Sequence, residues 1–163
     1  MLALPALGAL AAEPLYVLVD TAIVGHLGTG PLASLAIAAT VLSTAFAVFN
    51  FLTYGTTARV ARLHGAGQDA EAAAGGSPAL WLAVGIGIAL AVLIAALAAP
   101  AVTLMGGSGT IATGAETYLR ISALGAPAFM IASAAQGFLR GMGELRTPLV
   151  ILVVAHAVNV VLE

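Results

Sequence analysis

The sequence predicts an all-α fold, a polytopic helical membrane protein, on three observations. Its residues are 61% hydrophobic and only 7% charged, where soluble domains carry roughly 25% charged residues; mean hydropathy is +1.11. The apolar runs are continuous and rich in Ala, Leu and Gly instead of alternating, which excludes a transmembrane β-barrel. Several runs exceed the ~20 residues with which a helix crosses a ~30 Å hydrocarbon core.

Taken in order, the first helix is expected over residues 2–24, the second over 32–57, the third over 79–104 and the fourth over 115–138. A fifth begins at Thr147-Pro148 and stays apolar to Glu163, about 25 Å at the helical rise and short of a comfortable crossing. The connections Gly25–Pro31, Arg62–Pro78, Met105–Gly114 and Arg140–Pro148 carry the Gly, Pro and Ser expected of turns. A cleaved signal peptide competes for residues 1–24, but a basic n-region is missing, the run is too long, and Glu13 and Asp20 interrupt it.

All five basic residues are Arg and the formal net charge is −2. No basic patch exists for nucleic acid, and without cysteine there is no disulfide or thiolate metal site. Arg59 and Arg62 flank the second connection, and Arg140 and Arg146 the fourth. The positive-inside rule makes these two connections cytoplasmic. The expected placement is multi-pass in the cytoplasmic (inner) membrane, with the N-terminus cytoplasmic and the fifth helix running outward.

Asp20 stands inside the first apolar run, where a carboxylate costs about 2.5–3.5 kcal/mol on insertion scales and marks a functional position. Glu13, Tyr16 and Asp20 are spaced i, i+3, i+7, so they form one stripe. His156, Asn159 and Glu163 repeat that spacing in the fifth helix. Asp20 lies ~27 Å along its helix from Leu2, and Glu163 ~23 Å from Pro148. Both helices run outward, so the two acids share the outer half of the membrane, and Tyr118, near the start of the fourth helix, belongs to that layer. Asp20, Glu163, Asn159, Tyr16 and Tyr118 are the expected proton- or cation-binding group, with Glu13 and His156 as further candidates. No metal is expected beyond Na⁺ at Asp20, and no cofactor beyond H⁺ or Na⁺ as coupling ion. Polar side chains also join membrane helices structurally, at about 0.6 kcal/mol each, which is the competing role for Tyr16, Asn159 and His156. Pro5 and Pro14 give the first helix places to bend. Asn50 and Gln136 are expected to cap or pair, and Gly85 and Gly87 to permit close packing. Gly106-Gly107-Ser108-Gly109 superficially matches an intramembrane serine-protease string, with His156 as its base, but a Gly-rich loop is the simpler reading. The chain is therefore not expected to be an enzyme.

The strings LALPALGALAAEPLYVLVDTAIVGHLGTGPLA, FLTYGTTARVAR, YLRISALGAPA and GFLRGMGELRTPL, with NVVLE at the end, resemble the multidrug and toxic compound extrusion (MATE) family, DinF-like branch. The resemblance runs in order over essentially the whole chain. It implies two six-helix lobes related by pseudo-twofold symmetry, of which 1–163 is an N-lobe fragment; the sixth helix and the C-lobe, needed for function, are absent. It implies cation-coupled (H⁺ or Na⁺) antiport that exports drugs or organic metabolites, with a small-molecule organic substrate and the lipid bilayer as partners. It places the essential carboxylate at Asp20, a network at Tyr16, Tyr118, Asn159 and the acid four residues after that Asn, and first-helix bending at Pro5. Relatives commonly have Asp where this chain has Glu163, which moves the charge outward by one methylene. A lipid-linked precursor flippase of the same superfamily is the alternative; it favours an arginine-rich cavity, for which Arg120 is the one candidate inside the membrane.

Overall fold

Glycine and proline decide where the rods of this chain stop. The computed structural model describes residues 18–19, 21–144, 146–151 and 154. Helical residues 21–26 (α1) end in a turn at Leu27 and Gly28. Then follow α2 (Thr29–Val48), α3 (Asn50–Gly65), α4 (Asp69–Ala74), α5 (Gly76–Leu104), α6 (Gly109–Ala123), α7 (Ala126–Gly141) and helical residues 146–151 (α8). The described residues contain no strand.

The turn-rich strings prove to be helix ends as much as loops. The second span, expected over 32–57, runs as α2 and α3 over Thr29–Gly65, with one break at Phe49. The expected loop Arg62–Pro78 contains α4, whose Ala-rich sequence forms helix readily and whose Asp69 and Glu71 sit favourably at the positive end of the helix dipole. Pro78 lies in the first turn of α5, where a missing N–H costs nothing. α6 likewise begins at Gly109, inside the string Met105–Gly114. The chain leaves α3 and α7 in one way: Gly67 and Gly143 take φ of 73° and 75°, and the next amide bonds five residues back, from Gln68 to the Leu63 carbonyl and from Glu144 to the Leu139 carbonyl, each 2.9 Å.

The fourth span, expected as one helix over 115–138, is two helices, α6 and α7, bent by 52°. Pro127 is the cause: it has no N–H to offer Ala123, and its ring would strike that carbonyl in a continuous helix. Pro127 then serves as an early residue of α7, seated against Gly87 of α5, where any side chain would collide with its backbone. Gly85, by contrast, is exposed with no neighbour within 4 Å, so it has no packing role among the described residues.

α5 runs antiparallel to the other two rods and contacts α2, α6 and α7. It buries one stripe, Ala83, Gly87, Leu90, Ile94, Ala98 and Val102. Its remaining faces expose Trp81, Val92, Leu93 and Leu97, an apolar surface that suits lipid and not water. Two described helices, Thr29–Gly65 and Asp69–Leu104, are long and apolar enough to cross a membrane, and the bent α6–α7 pair makes a third if it is one span. The first and fifth expected helices lie largely outside the described residues.

The rods α2–α3 and α6–α7 lie parallel and in register. Ser34 Oγ donates to the Ile111 carbonyl (2.9 Å), Thr53 Oγ1 to Ser133 (3.2 Å) and Thr57 Oγ1 to Gly137 (3.0 Å), at separations of 77, 80 and 80 residues. Phe46 and Phe129 stack between the rods with ring centroids 4.3 Å apart.

Candidate functional site

The α2–α6 contact opens into a cleft of about 380 Å³ bounded by Val24 of α1, Gly30, Pro31, Ser34 and Leu35 of α2, and Thr110, Gly114 and Tyr118 of α6. The α6 residues Thr110, Thr113, Gly114, Thr117, Tyr118 and Ile121 repeat at i, i+3, i+4, i+7, i+8 and i+11, so they share one face. That face is turned away from Ala115, Leu119 and Ala123, which are buried. A shallower hollow of about 760 Å³ along the same face shares Thr110, Gly114 and Tyr118 with the cleft.

Close approach of α2 and α6 depends on Gly114, since a Cβ there would stand 2.7 Å from Ser34 Oγ. The Ser34 hydroxyl reaches the Gly30 carbonyl (3.2 Å) as well as Ile111. Thr113 and Thr117 direct their hydroxyls to backbone carbonyls one turn back, Gly109 (3.2 Å) and Thr113 (2.8 Å). The described lining thus carries hydroxyl oxygens and apolar walls but no charge. Hydroxyls orient a ligand or complete the shell of a small cation; the fixed negative charge that holds a cation has to come from a carboxylate.

Of the residues expected at the site, Tyr118 lines the cleft and is 43% exposed. Asp20, Glu163, Asn159, Tyr16, Glu13 and His156, and the bending positions Pro5 and Pro14, lie outside the described residues. Sequence reasoning passed over Ser34 and the threonines. Their signal was present, because Thr110, Thr113 and Thr117 repeat the i, i+3, i+7 spacing that marked Glu13, Tyr16 and Asp20. No group of three or more His, Asp or Glu suited to a metal occurs among the described residues.

Other candidates resolve into ordinary roles. Arg120 is paired with Glu116 one turn back, 2.9 Å away. Arg140 donates to Gln136 at 3.2 Å, the pairing expected of that amide. Ser108 is an exposed residue in the α5–α6 turn without a side-chain hydrogen bond among the described residues, and His156 lies outside them. Glu144, in the α7–α8 connection, accepts the backbone N–H groups of Thr147 (3.1 Å) and Arg146 (2.9 Å), which hold its carboxyl below the usual carboxylate range.

Comparison with known proteins agrees with this architecture. The MatE family model matches residues 5–163. The chain is 35% identical over 163 residues to the DNA damage-inducible protein F of Escherichia coli (strain K12), covering 99% of this chain and 36% of that protein. It is 36% identical over 180 residues to the chloroplastic protein DETOXIFICATION 44 of Arabidopsis thaliana, covering 99% and 33%. It is 26% identical over 162 residues to the probable multidrug resistance protein NorM of Thermotoga maritima, covering 99% and 35%. Among solved structures, a MOP superfamily transporter from Pyrococcus furiosus Vc1 (DSM3638), described as having a binding pocket of reverse polarity that suggests a different function, superposes with a TM-score of 0.90 at 25% identity, over 98% of this chain and 35% of that one. The chain therefore spans about a third of the length of the relatives it matches.

Proposed function

Because the chain belongs to the MATE family, we propose that it forms the ion-handling lobe of a cation-coupled exporter of drugs or organic metabolites in the cytoplasmic membrane. The observation that carries this reading is the hydroxyl-lined cleft between α2 and α6, with Val24 of α1 at its edge. Asp20 precedes Val24 by four residues in sequence, one helical turn, and that spacing is the reason for assigning its carboxylate to the cleft. Tyr118 and Ser34 then supply oxygens to a proton or Na⁺ held by Asp20, with Glu163 and Asn159 completing the group from the fifth helix. Two carboxylates near one another in low dielectric do not both ionise readily, so one proton is retained; its release makes the cleft more negative by one charge, which an incoming monovalent cation neutralises. The chain enters the membrane from the cytoplasm, and the cleft faces the outer half. The second lobe, outside this chain, supplies the remainder of the substrate path. The Arg120–Glu116 pair leaves no lone arginine on α6 for an anionic headgroup, which supports the export reading over the flippase.

The test is Asp20→Asn in the full-length protein in proteoliposomes. The amide is nearly isosteric and does not exchange a proton, so ion-driven substrate movement is expected to be lost while insertion and thermal midpoint are kept. Movement at the parental rate down an imposed H⁺ or Na⁺ gradient would remove Asp20 from the coupling role.

A further inference from the structure

A second concavity lies at the other end of the bundle, between α3 and the start of α5. It encloses about 300 Å³ between Phe51, Leu52 and Val60 on one wall and Pro78, Ala79 and Leu82 on the other, and Arg59 stands at its end. Phe51 and Leu82 are 57% and 54% exposed, so the groove is open along its length. From Phe51 to Arg59 it follows α3 for about 12 Å. Arg62, three residues further, continues the same face.

Arg59 and Arg62 differ from the arginines of α6 and α7. Arg120 has Glu116, and Arg140 has Gln136. Arg59 and Arg62 are exposed and have no hydrogen-bond or ion-pair partner among the described residues. Asp69, the nearest acid in the adjoining sequence, is occupied by His64 at 2.6 Å. Arg59 thus sits at the mouth of an open apolar groove and Arg62 about one turn beyond it, both uncompensated, on a helix that spans a membrane. A phosphodiester matches such guanidinium groups bidentately, basic residues beside a membrane surface attract anionic lipid, and an acyl chain matches the apolar walls.

We propose that the α3–α5 groove is a binding site for one anionic phospholipid of the leaflet on the α3–α4 side, with an acyl chain along Phe51, Leu52 and Leu82 and the phosphate on Arg59 and Arg62. The site is separate from the α2–α6 cleft and does not depend on what the protein transports.

Native mass spectrometry of the full-length protein, purified with an equimolar mixture of phosphatidylglycerol and phosphatidylcholine, tests it. One phosphatidylglycerol is expected to be retained in preference to phosphatidylcholine. Arg59→Gln and Arg62→Gln should each lower that retention about fivefold. Gly55 lines the groove, and a Cβ there meets nothing within 4 Å, so Gly55→Leu should fill the groove and displace the lipid without lowering the thermal midpoint. Equal retention of both lipids by the parent, unchanged phosphatidylglycerol retention in the arginine variants, or unchanged retention in Gly55→Leu would overturn the proposal. So would a Gly55→Cys thiol inaccessible to a membrane-dissolved maleimide, which would mean that another helix of the protein covers the groove.

Discussion

Where α3 meets α7, two threonine hydroxyls and two glycines draw the rods together; where α2 meets α6, one serine hydroxyl joins them and a cleft of about 380 Å³ stays open. At the tight end a Cβ on Gly137 would stand 2.6 Å from the Thr53 carbonyl, and one on Gly141 2.6 Å from Val60 Cβ. The same two parallel rods therefore make a close-packed base at one end and a ligand-sized opening at the other. The 52° bend at Pro127 separates the halves. Lipid supplies no hydrophobic drive for helices to associate, so backbone approach at small residues and interhelical hydrogen bonds set where the bundle is firm.

The firm end is the more sensitive of the two to added bulk. Gly137→Leu should force α7 from α3 and cost about 1–3 kcal/mol, the usual range for overpacking, read as a lower thermal midpoint of the full-length protein. Gly85→Leu, placed in open space, should leave the midpoint unchanged. Similar losses from both would show that the α3–α7 contact is not what holds the rods.

At the open end the expected effects are smaller and coupled. Ser34→Ala removes the bond to Ile111 and should cost about 0.6 kcal/mol. Gly114→Ala alone should be worse, because its methyl group meets Ser34 Oγ at 2.7 Å. The double variant should recover part of the Gly114→Ala loss, although Ser34 Cβ stays close at 3.2 Å. Strict additivity in thermal midpoints would contradict direct packing at this contact.

The smallest effect lies outside both ends, at the start of α8. The Glu144 carboxyl is held below its ordinary range by the Thr147 and Arg146 amides. A group with a depressed folded pKa contributes above its unfolded pKa, and the contribution disappears as pH falls through the folded value. Amide exchange at Arg146 and Thr147, corrected for intrinsic rates, should therefore speed up below the carboxylate range, and Glu144→Gln should flatten that dependence.

The sequence made the fold class legible because long apolar runs with 7% charge have few solutions other than membrane helices. It misjudged the connections, because Gly, Thr and Pro in strings such as Gly25–Pro31 read as loop signals although they also begin helices. The α6–α7 break was written in Pro127, but hydropathy averages across a single proline and reports one span. At the site, costly carboxylates were conspicuous, whereas Ser34 and the α6 threonines were not, since hydroxyls that bond their own helix are cheap anywhere in a membrane segment. Their significance appears only when α2 and α6 are brought side by side.

An ion site at the open α2–α6 end requires the Asp20 carboxylate to enter that cleft. Cysteine pairs introduced at positions 20 and 118 of the full-length protein, treated in membranes with a short bifunctional thiol reagent, test it directly, with a Val24→Cys/Ser34→Cys pair across the cleft as positive control. Intramolecular cross-linking of both pairs is expected. Efficient cross-linking of the 24–34 pair with none between 20 and 118 would place Asp20 on another face of the first helix and contradict it.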